Sequence, residues 1–457
     1  MSFVILGHCC KDGSCLRVCP QHCIGPTPDD PAFATVEQLT IDPGACIGCS
    51  ACVDACPVAA IKPVAALTDA EQVYARPVLP VPPTRRPARP EIPVALRSAR
   101  DPIRVAVVGA GSAAMYTVRE LLQRSSAVRV TVFERGAHVG GLLRTAVSPD
   151  HPEIRQMTRL FDLPFADPRV ETRFGTRVGV DVTIDDLRGR YDAVILAFGA
   201  TAPRAVAGAS IPQVHQAIDL LTEANAAQRE RGVPAARLAG PTVAIVGGGN
   251  VAVDVVTGLA RQRLVTRSGA PVTRAIVVAR APACRPSFSF SALHELRQLD
   301  VDITVDPGDA ASAPGPLDHL LSELGPRARS RPGLAVEVIF GREVTALHPA
   351  DGHLRVDTVR TDSAHRTAAS TLTADAVVLA AGFTCAPLPG IPLGPDGAVA
   401  NRDGRVVSPE TGDPIAGLYV VGWAKRGGRG GVGENRRCAA QTVDLIAADL
   451  AAVPTGA

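Results

Sequence analysis

The feature that most constrains this chain is a glycine turn that it contains twice. From residue 104 the sequence reads RVAVVGAGSAAMYTVRELLQRSSAVRVTVFER. An apolar run at 105–108 enters a turn through Gly109, Gly111 and Ala114, a helix-like stretch follows, and a second β-rich run at 128–133 ends on Glu134. Strand, turn, helix, strand and acid in that order make a dinucleotide-binding βαβ unit. Gly109 supplies the tight turn, Gly111 lets backbone approach a pyrophosphate, Ala114 permits close helix packing, and Glu134 stands where a carboxylate takes ribose hydroxyls. The helix start offers its positive dipole end to the phosphates. A second turn, VAIVGGGNVAVD at 243–254, puts Gly247, Gly249 and Ala252 in the same three roles, with a strand-like run at 275–278 after it. One such turn is weak evidence; two in one chain point to a flavin fed by a nicotinamide nucleotide.

The cysteines add a second constraint. Nine of the twelve precede residue 57, which is the clustering of metal sites and not the even spread of a disulfide framework. They fall on an internal repeat with an offset of 37: Cys9 matches Cys46, Asp12 matches Cys49, Cys15 matches Cys52, and Cys19 matches Cys56, with a proline after each last cysteine. The second half reads C-x2-C-x2-C-x3-C-P, the bacterial ferredoxin run in which the fourth cysteine serves the other cluster. One cluster is therefore expected on Cys46, Cys49, Cys52 and Cys19, and the other on Cys9, Cys15 and Cys56. Asp12 stands at the fourth corner of the latter, and a carboxylate is a harder and weaker ligand for such iron than a thiolate. Three outcomes stay open: a three-iron cluster lacking that corner, a four-iron cluster with Asp12 as ligand, or one with neighbouring Cys10. Cys23 matches Ala60 and reads as a buried thiol. A zinc site, which takes four ligands, accounts poorly for seven cysteines in register.

Composition excludes several other classes. A chain of 457 residues has room for about three domains. Its net charge of +2, with scattered arginines and three lysines, leaves no footprint for nucleic acid. No apolar run approaches a membrane span, and the N-terminal one is too short for a signal peptide, so a soluble cytoplasmic protein is expected. Residues 1–62 hold three basic and six acidic side chains, a charge of −3, which leaves +5 for the remainder and predicts a modest attraction between the parts. Residues 63–102 carry nine prolines and no periodicity, and read as a partly extended linker.

Four ordered motifs carry a resemblance that covers nearly the whole chain: GLLR at 141–144 followed by PDHP at 149–152, GGGNVAVD at 247–254, and GWAKRGGRGGVGEN at 422–435. Together they resemble the adrenodoxin-reductase family of ferredoxin–NADP reductases, and most of all the members with an N-terminal ferredoxin fused on. Residues 1–62 likewise resemble the seven-iron and eight-iron bacterial ferredoxins, which implies a βαββαβ-like fold. The resemblance implies an α/β flavoprotein with two dinucleotide-binding domains, FAD at 103–202 and 383–457 and NAD(P) in the insertion 203–382, behind an α+β ferredoxin domain at 1–62. It places Leu142, Arg144, Val178, Trp423, Gly430, Val432 and Gly433 at FAD, beside Gly109, Gly111, Ala114 and Glu134. It places Asn250, Val251, Arg280 and Glu295 at NADP, beside Gly247 and Gly249. It brings His151 and Asp254 together near the flavin, with Glu295 on the nicotinamide side as the third candidate catalytic group.

Two departures from the family pattern stand out. Where paired arginines would hold the 2′-phosphate, Arg280 is followed by Ala281, with Arg285 as a further candidate, so NADH competes with NADPH as the expected donor. Gly140 replaces an aromatic before the GL pair, which looks more like glutamate-synthase small subunits. The expected activity is NAD(P)H-dependent ferredoxin reduction, with electrons passing from FAD through two iron–sulfur clusters, one 4Fe-4S and one 3Fe-4S or 4Fe-4S, to an external ferredoxin or to a cytochrome P450 or other oxygenase. The alternatives are an electron-input subunit of a larger complex and a non-enzymatic redox sensor. Cys284, Cys385 and Cys438 are solitary, which argues against a redox disulfide.

Overall fold

The computed structural model describes residues 2–75, 94–97, 102–229, 235–299, 301–308, 333–361 and 369–452. They form two compact units, one of Met1–Arg144, Pro152–Ala202 and Phe383–Ala457, the other of Thr145–His151 and Pro203–Gly382.

The first unit is built on a seven-stranded sheet. Its central strands Ile103–Val108, Val128–Phe133, Ala193–Leu196 and Pro414–Val420 run parallel, with Val105 opposite both Val130 and Ala193. The first three are buried on both faces along almost their whole length, as their largely apolar sequences require, and the fourth over Leu418–Val420. One face packs on helix Ser112–Arg124 and the last helix, Glu434–Ala452. The other packs on Ile184, Leu187 and the segment around Cys385 and Ile391.

The cysteine-rich region belongs to this unit and is duplicated in its backbone as well as its sequence. Strand Phe3–Ile5 pairs antiparallel with Ile61–Pro63, and Ile24–Gly25 with Thr40–Ile41, giving the expected βαββαβ order. Helix Ser14–Val18 recurs as Ala51–Ala55 at the same offset of 37. Even the rare positive φ angles recur: Lys11 and Gly48 at 54° and 73°, Gly13 and Ser50 at 73° and 57°, His22 and Ala59 at 49° and 50°. The local conformation needed to wrap a cavity is thus specified twice.

The linker expectation meets three outcomes. Residues 63–75 are ordered, as the end of a strand and two short 3-10 helices, with Glu71 accepting from Lys62 Nζ at 2.6 Å and from Thr68 N at 3.0 Å. Leu96 is buried in the sheet core, with its N–H donating to Arg124 O at 3.1 Å. Residues 76–93 and 98–101 lie outside the described residues.

The second unit holds a six-stranded parallel sheet, Val214–Gln216, Ala376–Leu379, Thr242–Val246, Arg274–Val278, Leu334–Ile339 and Val301–Asp306 in spatial order. A three-stranded antiparallel sheet, Arg342–Ala350, His353–Arg360 and Ala369–Ala374, packs beside it. The excursion Thr145–His151 belongs here because the Asn225 amide donates to the Thr145 and Val147 carbonyls at 2.7 and 2.8 Å and Asp150 pairs with Arg261 and Arg263. No helix of the described residues is long and apolar enough to cross a membrane.

Candidate functional site

The thiols line two cavities. Cys19, Cys46, Cys49 and Cys52 surround one of about 310 Å³, with Cys23 beside them, its Sγ 3.4 Å from Cys19 Sγ. Cys9, Cys15 and Cys56 surround the other, of about 280 Å³, together with Cys10 and Asp12. These are the two sets that the repeat assigns to two clusters, with each fourth cysteine crossing to the other loop. Among the described residues no three donors converge on one metal ion. Thiols spread around a cavity suit a multi-iron cluster, whose corners lie several ångströms apart. Burial pushes the Cys9 and Cys52 thiols up to about 11 and raises Cys56 as well. Thiolates so placed would need a positive centre among them, as the irons of a cluster would provide.

Asp12 occupies its corner in an unexpected way. Its carboxylate accepts from Ser14 N at 3.1 Å and Ser14 Oγ at 2.5 Å, and it pairs with Arg436 Nη1 at 3.3 Å. The same Nη1 donates to Asp12 O and to Ser14 Oγ, both at 3.0 Å. Gly433 N donates to Cys10 O at 3.0 Å, and a Cβ at 433 would overlap that oxygen and come within 2.5 Å of Asp12 N. The N–H of Gly433, a residue that the resemblance places at FAD, is thus engaged by the cysteine loop.

The first glycine turn has the features its sequence demands. Gly109 adopts φ 98°, and a Cβ there would stand 2.8 Å from Ala197 O, whereas the space over Gly111 is open to 4 Å. That opening is the cradle a phosphate needs. Ala114 is fully buried in the first turn of helix Ser112–Arg124. Glu134 accepts from Ala110 N at 2.8 Å and Gly136 N at 2.7 Å, which fixes its carboxylate beside the turn. Leu142 is half-buried, and Arg144 donates from Nε to Val139 O at 2.8 Å. Val178 is buried in the sheet core, so it has only its backbone to offer a ligand.

The C-terminal motif closes on the same turn. Gly422 sits against Ala113, and Trp423 stacks on Phe383 with centroids 6.3 Å apart, its Nε1 donating to Gly430 O at 2.7 Å. Gly430 is exposed and Val432 half-buried. Sequence reading missed Asn435, whose amide donates to Ser112 Oγ at 2.9 Å while its Oδ1 accepts from Arg426 at 2.9 Å. Arg426 Nη1 is buried with no protein partner, a donor held ready beside the helix start for an anionic or carbonyl oxygen. The open cradle and this orphaned donor fit a flavin dinucleotide.

In the second unit Gly247 turns with φ 120° against Ala380 O, and the space over Gly249 is again open to 4 Å. Asn250 Oδ1 accepts from Ser289 N at 2.8 Å, and half-buried Val251 follows it into helix Asn250–Ala260. Arg280 is 77% exposed and only loosely paired with Glu343, at 4.0 Å, so its fork is free for a phosphate. Arg285 is also exposed.

Three candidate catalytic residues far apart in sequence meet in this unit. His151 Nε2 lies 2.9 Å from Asp254 Oδ1, and His151 Nδ1 lies 3.8 Å from Glu295 Oε1. Burial opposes an imidazolium here, but the Asp254 hydrogen bond and the charges of Asp254, Glu295 and Asp150 outweigh it and raise the pKa to about 9. His151 is thus protonated at neutral pH. Burial raises the Glu295 carboxyl in turn, against the pull of His151. The cluster can hold a proton at a fixed position.

Comparison with known proteins agrees with this geometry. The family described as pyridine nucleotide-disulphide oxidoreductase matches residues 103–308, and a 4Fe-4S binding domain matches residues 39–62. A probable ferredoxin/ferredoxin–NADP reductase of Mycobacterium bovis is 34% identical over 98% of this chain and 84% of its own length. The NADPH-ferredoxin reductase FprA of Mycobacterium tuberculosis is 29% identical over 78% of this chain and 86% of its own. The structure of that FprA in complex with NADPH superposes with a TM-score of 0.65 at 27% identity, covering 77% of this chain and 85% of that one.

Proposed function

Since the chain belongs to the ferredoxin/ferredoxin–NADP reductases that carry their own iron–sulfur module, we propose that it draws electrons from NADPH and delivers them through two clusters of that module to an external acceptor. It is an NADPH-dependent ferredoxin reductase, an oxidoreductase of the two-dinucleotide-domain fold with an N-terminal 4Fe-4S ferredoxin-like domain. Bound flavin converts a two-electron donor into single-electron transfers. The observation that carries the reading is the pairing of two open glycine cradles with two thiol-lined cavities in one polypeptide. Membership over nearly the full chain leaves the sensor and complex-subunit alternatives without a supporting observation.

The residues divide the work as follows. Gly109, Gly111, Ala114 and Glu134 hold the FAD pyrophosphate and ribose, Leu142, Arg144 and the Val178 backbone flank them, and Trp423, Gly430 and Val432 close the flavin side. Gly247, Gly249, Asn250 and Val251 hold the NADPH pyrophosphate, and Arg280 takes its 2′-phosphate. His151, fixed by Asp254 and Glu295, keeps a proton and a positive charge at the nicotinamide side. Cys46, Cys49, Cys52 and Cys19 hold the 4Fe-4S cluster, and Cys9, Cys15 and Cys56 hold a second cluster with a labile corner. The acceptor is another ferredoxin or a cytochrome P450 or other oxygenase.

Anaerobic mixing of the holoprotein with equal NADPH and NADH tests this reading. Flavin bleaching by NADPH well ahead of NADH, followed by loss of cluster absorbance, is expected. Arg280→Ala should raise the KM for NADPH about tenfold and leave that for NADH unchanged, the loss of one charge-assisted contact. Failure of both nucleotides to bleach the flavin sinks the reading.

A further inference from the structure

The two halves of the cysteine repeat share a backbone, yet among the described residues it is the first half that makes the polar contacts to the start of the last helix. In the second half, Cys49 is exposed and Ile47 is 60% exposed. In the first half the corresponding loop is covered. Lys11, 8% exposed, donates to Phe33 O at 3.0 Å and Val36 O at 2.6 Å and pairs with Glu434 at 3.4 Å. Cys10 O is taken by Gly433 N, and Arg437 Nη1 donates to Pro28 O at 3.1 Å. Asp12, the one position where the repeat breaks, faces Arg436 at the centre of this surface, with side-chain exposures of 9% and 15%.

A carboxylate oriented by three donors is costly to turn toward another centre, because it would give up two hydrogen bonds from Ser14 and its ion pair with the half-buried Arg436. A thiol at position 12 would accept from Ser14 and Arg436 far more weakly. The replacement of cysteine thus coincides with the demand for a charged acceptor, and that demand arises from outside the repeat. We propose that Asp12 is a positioning residue and not an iron ligand: with Ser14 and Arg436 it latches the Cys9, Cys15 and Cys56 site onto the start of the last helix. This rests on the reading that the cavity holds a cluster. It follows that the fourth corner of that site receives no side chain from position 12.

The test uses full-length holoprotein with Asp12→Asn, Arg436→Gln and Arg436→Lys. Iron content, EPR of the oxidised protein and hydrogen exchange of peptides spanning 9–16 and 433–440 are measured together. Asp12→Asn and Arg436→Gln should leave iron content and the oxidised EPR spectrum unchanged while speeding exchange of both peptides about tenfold, the loss expected for a partly exposed charge pair. Arg436→Lys, which keeps the charge, should recover part of the protection. The proposal is overturned if Asp12→Asn loses iron or alters the oxidised spectrum, and equally if Arg436→Gln leaves exchange at the wild-type rate. Wild-type protein carrying only one cluster's iron would defeat the second-cluster reading, and the exchange result would still decide the latch.

Discussion

Two short loops, one in each unit, are fixed by charge, and they differ in whether that charge can be lost. The Cys10–Ser14 loop is held by Arg436, and arginine is the side-chain type used for a permanent charge. The loop ending at His151 is held by Asp254 and Glu295 acting on an imidazole that titrates near pH 9. The first contact is therefore a fixed attachment, whereas the second responds to proton activity. Fixity suits a residue that seats one part of a unit on another, and titration would suit the proton-holding role proposed above for His151.

The comparison is broken most severely at Gly433. Gly433→Ala drives a methyl group into Cys10 O and should destabilise the seating of the cysteine module by about 3 kcal/mol, the upper part of the range for overpacking. Limited proteolysis would show the module released at low protease, and the His151 loop would be untouched. An unchanged cleavage pattern would mean that the loop yields more easily than its hydrogen bonds suggest.

His151→Gln sharpens the contrast from the other side. A histidine whose pKa is raised from 6.5 to about 9 contributes stability that is fully present below pH 6.5 and is lost as pH climbs through 9. Wild type should exceed the variant by about 2 kcal/mol at pH 6, below the ceiling set by the shift because the side chain retains some exposure. The two should converge above pH 9. Glu295, raised by burial, also loses stability as pH rises from its ordinary value of 4.5, so the difference between the proteins is the quantity to follow in denaturant titrations. A constant gap from pH 6 to pH 10 would remove the proton from the account.

The smallest effect belongs to Glu434. Its contact with Lys11 is 3.4 Å long, its side chain is 28% exposed, and Lys11 keeps two carbonyl partners without it. Glu434→Gln should cost well under 1 kcal/mol, about 0.5 kcal/mol by melting at low salt, and less at high salt. A larger loss would shift the weight of the seating from Asp12 to Lys11.

What the sequence made legible follows from the range of its signals. Gly109 and Gly247 were readable because a turn that needs positive φ and an open cradle needs glycine at fixed offsets. The duplicated module was readable as a repeat because its signal is local, and the structure carries the duplication down to its backbone angles. His151 and Asp254 could be paired only through the resemblance, since a loop histidine and a helix acid 103 positions apart share no periodicity. Asp12 was visible as a break in the repeat, but its partner lies 424 positions away in a helix whose surface arginines look alike. Leu96 was hidden in the same manner, as one apolar residue within a proline-rich stretch whose composition predicted a linker. The excursion Thr145–His151 carried no boundary signal, because its membership of the second unit is decided by Asn225, Arg261 and Arg263.

That excursion bears on how portable the second unit is. A gene fragment encoding only residues 203–382 would omit seven residues that the unit uses as its own. Arg261 and Arg263 would then face each other without Asp150, and the Asn225 amide would lose both carbonyls. Transplanting nucleotide specificity between relatives by exchanging the insertion alone would therefore graft an incomplete piece, and a chimaera that carries the loop with it should express and fold better than one cut at the obvious seams.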